Sequence, residues 1–472
     1  MEKNGFLKQL AVIGSGTFIN MMLGLLSTPI ITRIVEPNEY GQLSIFTMYS
    51  SIALMVLCMG LDQATVRFYY EKDAKEYKRV LIFKCVWLPV VACILVSVIF
   101  LVGTFVFDRL IIFFLCLHTF DQIIYRFSQL IIRLERKVKL FSALQILQKT
   151  IYIILAVGLC YTVKNHYLFI LVVATTLSYL ICMVISIIAQ KDIWNFKNLD
   201  LKRCPISMSE LLRYSAPFIL SMGVTTLFQA SDKIALNYYC TYEEVGIYSS
   251  TMSLVHVFAI VQTAFNTLWA PMSVEHYIKY PDDKKFHQQA NQIITVVMFF
   301  MGISLIFVKD VFVILLGEKY REAAYILPFL IFNPIMYTIS ETTVAGLVFK
   351  KKSKLQVVVA VGACFTNIVG NTILVPKYGC QGAAISTGIA YIVFYLLRTI
   401  LGQKYYYVDF KLKKFLFLTG VVCLYAAYNT FNPFSSSSVL GYFICLFILL
   451  VLYKDTVIWM IQYGINMIHR RK

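Results

Sequence analysis

The sequence predicts an all-α integral membrane protein of about fourteen transmembrane helices. Composition is the first observation behind this. Of 472 residues, 59% are hydrophobic and 14% charged, whereas soluble domains carry about 25% charged residues. The second is length: apolar runs recur from end to end, each near the roughly 20 residues with which a helix crosses about 30 Å of hydrocarbon. The third is that basic residues gather in alternate loops.

The apolar runs have approximate cores at 8–32, 42–66, 80–106, 110–131, 140–162, 166–189, 211–236, 244–270, 290–315, 323–348, 355–375, 381–401, 414–431 and 438–453. The first lacks a small-residue cleavage site and outruns a signal peptide, so it is expected to be a retained helix. No separate soluble domain is expected. Of the 43 Lys and Arg residues, 33 fall in alternate loops that this count places on one side, seven on the other and three (Arg126, Lys149, Lys233) inside runs. A miscount by one run in the middle would send every later loop to the opposite side and erase that bias. Both termini are therefore expected in the cytoplasm. The seven opposite residues are Arg33, Arg109, Lys164, Lys309, Lys319, Arg321 and Lys377.

The net charge of +18 would suit nucleic acid, but basic residues between apolar runs are explained by topology and anionic membrane lipids, so no nucleic-acid partner is expected. Twelve cysteines lie mostly inside the runs with no C-x-x-C pair, which fits small apolar side chains better than metal ligands or disulfides. No Walker A, H-E-x-x-H, G-x-S-x-G or dinucleotide fingerprint occurs. That argues against an ATP-driven pump and a soluble-type hydrolase, and a transporter rather than an enzyme is expected.

The longest hydrophilic stretch lies mid-chain. It divides the sequence into a six-helix bundle at 1–190, a cytoplasmic linker at 191–209, a second six-helix bundle at 210–402, two additional helices at 403–455 and a tail at 456–472. Glu39-Tyr40-Gly41-Gln42-Leu43-Ser44 after the first run matches Glu244-Val245-Gly246-Ile247-Tyr248-Ser249 after the seventh. Six runs separate these copies, an even number, which predicts halves related by a pseudo-two-fold axis along the membrane normal. The tail sets Val457, Ile458, Ile461, Ile465 and Ile468 against Gln462, Asn466, His469 and Arg470, the pattern of an amphipathic helix on the cytoplasmic surface.

A charge at the centre of a lone helix costs about 2.5–3.5 kcal/mol on insertion scales, so in-span polar groups face a bundle interior or a wet cavity. Stripes at helical spacing occur in the fourth run (Gln122, Arg126, Gln129, Arg133), the fifth (Ser142, Gln145, Gln148, Lys149, Tyr152), the seventh (Ser221, Thr225, Gln229, Asp232 with Lys233) and the eighth (Ser249, Ser253, His256), with Glu341 in the tenth. Helix–helix hydrogen bonding explains the neutral members. It explains unpaired cations less well, although Asp121 is a candidate partner for Arg126. Pro29 and Pro217 interrupt the first and seventh runs and can bend them.

Five segments carry a resemblance to a known family. They are TRIVEPNEYGQLSIF (Thr32 to Phe46), MGLDQATVRFYYE (Met59 to Glu71), SAPFILSMG (Ser215 to Gly223) with SDKIAL (Ser231 to Leu236), EEVGIYS (Glu243 to Ser249) and NTILVPKYGCQGAAIST (Asn371 to Thr387). The chain resembles the polysaccharide and O-antigen flippases, in the superfamily that also holds multidrug and toxin extrusion transporters and the lipid II flippase. The resemblance implies two six-helix bundles in a V around a central cleft, with two further helices. It implies alternating access in a bacterial inner membrane. The cargo would be an undecaprenyl-diphosphate-linked oligosaccharide (an O-antigen, capsule or exopolysaccharide repeat unit), moved from the cytoplasmic to the outer leaflet, with a polysaccharide polymerase and chain-length machinery as partners.

The chemistry of such a cargo makes demands of its own. A hydroxyl stripped of water costs about 4–8 kcal/mol in pure hydrocarbon, so the glycan needs a hydrated path while the prenyl tail stays in lipid. A diphosphate calls for Arg and Lys. The candidates are Arg33, Arg126, Lys149 and Lys233, with Arg67 and Arg398 nearer the cytoplasmic mouth. Some relatives couple transport to sodium or protons. Here Asp232, Asn367, Asn371 and Thr387 offer hard oxygen ligands for a small cation, and no other cofactor is expected. Asn371 stands where a cation-coupled lipid II flippase favours a carboxylate, so Asp232 would be the only full charge.

Two other functions fit the sequence less well. A cation-coupled drug exporter shares the fold but favours acidic and apolar lining, whereas the in-span surplus here is basic. A membrane polymerase or glycosyltransferase usually presents a large external loop, and no external loop here exceeds about a dozen residues.

Overall fold

The computed structural model describes residues 3–103, 109–163, 165–352 and 354–469. Lys164 and the three basic residues 470–472, counted above, lie outside them. The described residues are helical and contain no strand, as expected where lipid leaves backbone groups no outside partner. Large side chains such as Val102 and Leu424 are 71% and 74% exposed, an outer surface suited to lipid and not to water.

The chain forms two compact units, 1–230 and 231–472. The first contains α1 (Lys3–Thr32), α2 (Pro37–Cys58), α3 (Leu61–Phe68), α4 (Lys75–Gly103), α5 (Arg109–Leu134), α6 (Val138–Thr162), α7 (Tyr167–Ala189) and α8 (Lys191–Trp194). Helix α9 (Met208–Tyr239) carries the chain from one unit into the next. The second unit continues with α10 (Tyr242–Val255), α11 (Phe258–Lys279), α12 (Lys284–Phe307), α13 (Lys309–Val313), α14 (Ala323–Leu330), α15 (Phe332–Thr343), α16 (Ala345–Phe349), α17 (Lys354–Tyr405), α18 (Leu412–Phe431), α19 (Ser436–Leu452) and α20 (Lys454–His469). In the first unit α5 and α6 both pack on α7, and α1 packs on α6; in the second, α18 and α19 pack on α14 and α12.

Among the described residues, ten helices are long and apolar enough to cross a membrane, or twelve if each of two bent pairs counts as one span. Fourteen runs were expected. Two of the expected runs form α17, a 52-residue helix broken only at Gly379, and the first lies on the 30-residue α1, part of whose side chains fall outside the described residues.

That break is a reversal. Gly370 lies against Ser386 and Gly362 against Leu397, so the two arms of α17 run antiparallel. Gly379 has φ +53°, and a Cβ there would collide with the Glu244 carboxylate. That carboxylate accepts the backbone N–H of Cys380 at 2.9 Å, capping the second arm. The expected second run is likewise broken: Met59 and Gly60 are both left-handed (φ 47° and 69°), and α3 restarts immediately after them. A Cβ on Gly60 would press on the Ser215 carbonyl at 2.9 Å.

The expected linker is not a free tether. Ile193, Cys204 and Ile206 are buried with Leu61, Tyr77, Val80 and Leu81 of α3 and α4. Arg79 Nε donates to the Asn195 carbonyl at 2.9 Å, and Lys84 Nζ donates to those of Cys204 and Ile206 at 2.9 and 2.8 Å. These residues therefore fold with the first unit, and the division between units falls inside α9. At the other end α20 leaves α19 at 82°, and Thr456 donates to Gln292 Oε1 of α12 at 3.0 Å. Ile458 and Ile461 remain exposed on it, an arrangement suited to a helix lying along a membrane surface.

Candidate functional site

In α9, Asp232 ends at the centre of a buried polar cluster built from three other helical segments. Its Oδ1 accepts the amide N–H groups of Asn367 at 3.0 Å and Asn371 at 2.8 Å. Its Oδ2 accepts the hydroxyls of Tyr248 at 2.5 Å and Thr387 at 2.6 Å. Ser231 donates to Asn367 Oδ1, and Ser386 donates to the Asn367 carbonyl at 2.8 Å. Asp232, Asn367, Asn371, Thr387 and Tyr248 are all buried. The reversal at Gly379 makes this possible, because it brings Thr387 on the second arm of α17 beside Asn367 on the first, 3.1 Å apart.

The four residues expected to form a cation site are thus brought together, with Tyr248 as a fifth member that the sequence did not flag. Four donors fill the acceptor capacity of one carboxylate. As arranged, Asn367 and Asn371 aim N–H groups at Asp232, so a cation would require those amides to turn their oxygens inward. Asn371 Oδ1 is buried without a hydrogen-bond partner, which leaves one oxygen ligand already uncommitted.

The six candidate cations differ in how their charge is used. Arg126 pairs with Asp62, its Nε at 3.0 Å and Nη2 at 2.5 Å from Oδ2. The expected partner, Asp121, is instead buried (1% exposed) with both carboxylate oxygens unpartnered. Residue 121 lies five positions before 126, more than a helical turn, and so cannot share its face. Arg67 is exposed and pairs with Glu71 at 3.3 Å, and Arg33 is exposed in the turn after α1. Lys149 sits over the Tyr152 ring, 5.3 Å from its centroid. Among the described residues neither Lys149 nor Lys233 has an ion-pair partner.

Arg398 is committed inside the protein. Its Nη1 donates to Glu341 Oε1 and Ser340 Oγ, both at 2.7 Å, and the guanidinium lies near the rings of Tyr337 and Phe394. With only 8% of its side chain accessible, its charge serves Glu341, and the expectation of a free cargo ligand there is revised. Removing one partner of a buried pair strands the other at a cost of about 3–5 kcal/mol. Arg398→Met should therefore lower the unfolding midpoint of purified protein sharply, and the double variant Arg398→Met/Glu341→Gln should recover much of the loss.

Neutral members of the stripes largely serve as helix–helix contacts. Ser50 of α2 donates to Gln122 of α5 at 2.9 Å, and Gln148 of α6 to Ser178 of α7 at 3.0 Å. The second unit does the same with Asn291 and Thr342 at 2.8 Å.

No curated protein sequence matches this chain significantly. Among solved structures, the lipid II flippase MurJ in an inward closed conformation superposes with a TM-score of 0.70 at 16% identity, over 96% of this chain and all of that one. An outward-facing multidrug resistance transporter of the MATE family, in the MOP superfamily, gives 0.56 at 14% identity over 84% of this chain and 93% of its own. An inward-facing structure of a MATE family transporter gives 0.54 at 15% identity over 81% and 94%. At these identities the likeness establishes the fold, which is that of MOP-superfamily transporters. The family model described as polysaccharide biosynthesis protein matches residues 6–277, more than half of the sequence, and the chain therefore belongs to that family.

Proposed function

We propose that this protein is a flippase that moves an undecaprenyl-diphosphate-linked oligosaccharide, the repeat unit of an O-antigen, capsule or exopolysaccharide, from the cytoplasmic to the outer leaflet of a bacterial inner membrane by alternating access. Both termini lie in the cytoplasm, and a polysaccharide polymerase with its chain-length machinery takes up the product. The observation that carries this reading is Lys149 and Lys233: two cations within apolar helices with no ion-pair partner among the described residues. Bundle packing has no use for such charges, which are costly to keep in a membrane, whereas a diphosphate supplies their counter-charge. Arg33, Arg67 and Arg126 add exposed or half-exposed cations along the first unit, while Arg398 is committed to Glu341. The Asp232 cluster is the place for a coupling sodium ion or proton.

The test is reconstitution into vesicles loaded in one leaflet with a fluorescent prenyl-diphosphate oligosaccharide. The protein should make the glycan accessible to a lectin on the opposite side. Vesicles that instead export a cationic dye and leave the glycan in place would replace this reading with drug export.

A further inference from the structure

The Asp62 partner of Arg126 has an unusual setting. It occupies the first turn of α3, immediately after the Met59–Gly60 break. Its side chain is 4% accessible, while that of Arg126 is 38% accessible. Asp62 Oδ1 accepts the backbone N–H of Gln63 at 2.9 Å. Oδ2 alone takes both guanidinium contacts, from Nε and Nη2, with the Gln63 amide 3.4 Å away. This is not the two-oxygen fork that gives arginine its strongest carboxylate and phosphate contacts. Nη1 donates no hydrogen bond among the described residues. Arg126 is thus held by one carboxylate oxygen on one edge, with its other edge uncommitted and partly open.

We propose that Asp62 is an internal stand-in for the cargo's diphosphate, a positioning residue that occupies Arg126 when the site is empty and yields it when phosphate oxygens arrive. The inference rests on the flippase reading. A diphosphate can engage the free Nη1 first and then take the Nη2 contact as a fork, which a single carboxylate oxygen does not match. Its negative charge repels Asp62, and the buried carboxylate left behind without its partner costs energy. That cost makes cargo binding reversible: Asp62 weakens the bound state and regains Arg126 as the cargo departs.

The experiment uses the full-length protein in nanodiscs, with farnesyl diphosphate as the binding probe and the vesicle assay for rate. Wild type should bind the probe, and Arg126→Gln should weaken it; absence of both effects would sink the flippase reading itself. Given both, Asp62→Asn should bind the probe more tightly, on the order of tenfold, and turn over more slowly. In the Arg126→Gln background the same change should have no effect on affinity. Unchanged or weaker binding by Asp62→Asn overturns the inference while leaving the flippase reading intact. A merely structural carboxylate would not tighten binding when removed. Asp62→Ser serves as a second neutral variant, and failure of both neutral variants to accumulate in the membrane would show Asp62 to be structural and end the proposal.

Discussion

Asp232→Asn should leave the protein as stable as wild type and abolish any dependence of transport on a sodium or proton gradient. The cluster explains why the two effects separate. An asparagine at 232 can still accept the Asn367 and Asn371 amides on its oxygen. Its own N–H₂ can donate toward Tyr248 and Thr387, whose hydroxyls are able to accept as well as donate. Packing and hydrogen bonding survive, so the change isolates the charge. Asp232→Ala, by contrast, strands at least the two amides, each at about 1–3 kcal/mol, and should lower the yield of folded protein in the membrane. Thermal unfolding and gradient-driven transport in vesicles read the two outcomes. Gradient-dependent transport by Asp232→Asn at the wild-type rate would reduce the cluster to packing.

Lys149→Ala and Lys233→Ala should each weaken binding of a prenyl diphosphate by about ten- to a hundredfold, since a hydrogen bond to a charged group contributes about 1.5–3 kcal/mol. Surface polysaccharide should fall in parallel while the protein remains in the membrane. These positions give a clean readout because no acid among the described residues is left stranded when the lysine goes, unlike Arg126 or Arg398. Arginine at either position should retain more activity than glutamine, because it keeps the charge. Normal polymer levels and unaltered binding in both alanine variants would show that their charge serves the fold.

Much of the fold was legible because a membrane imposes local rules. Apolar run length and the bias of basic residues between loops can be read without knowing any long-range contact. Four members of the Asp232 cluster were named because the family resemblance directed attention to an in-span acid and because Asn367 and Asn371 are one helical turn apart. Tyr248 escaped because tyrosine is common in this chain and nothing local marks one that bonds a residue sixteen positions earlier on another helix. Arg126 was noticed but given the wrong partner. Asp121 is near in sequence, whereas the actual partner, Asp62, lies 64 residues away beyond a helix break.

The sequence by itself determined that the chain is a helical membrane protein and that cations lie within its apolar runs, since both follow from residue type and run length. Only the tertiary structure decided how those charges are used: Arg126 with Asp62, Arg398 with Glu341, Lys149 and Lys233 with no acid among the described residues. It also decided that two expected runs fold back as one interrupted helix at Gly379, and that the mid-chain stretch is strapped to the first unit by Arg79 and Lys84. The physical reason is that spacing along a helix fixes which neighbours share a face. Ion pairs and buried caps are settled by helices far apart in the chain, whose approach depends on the packing of all the others.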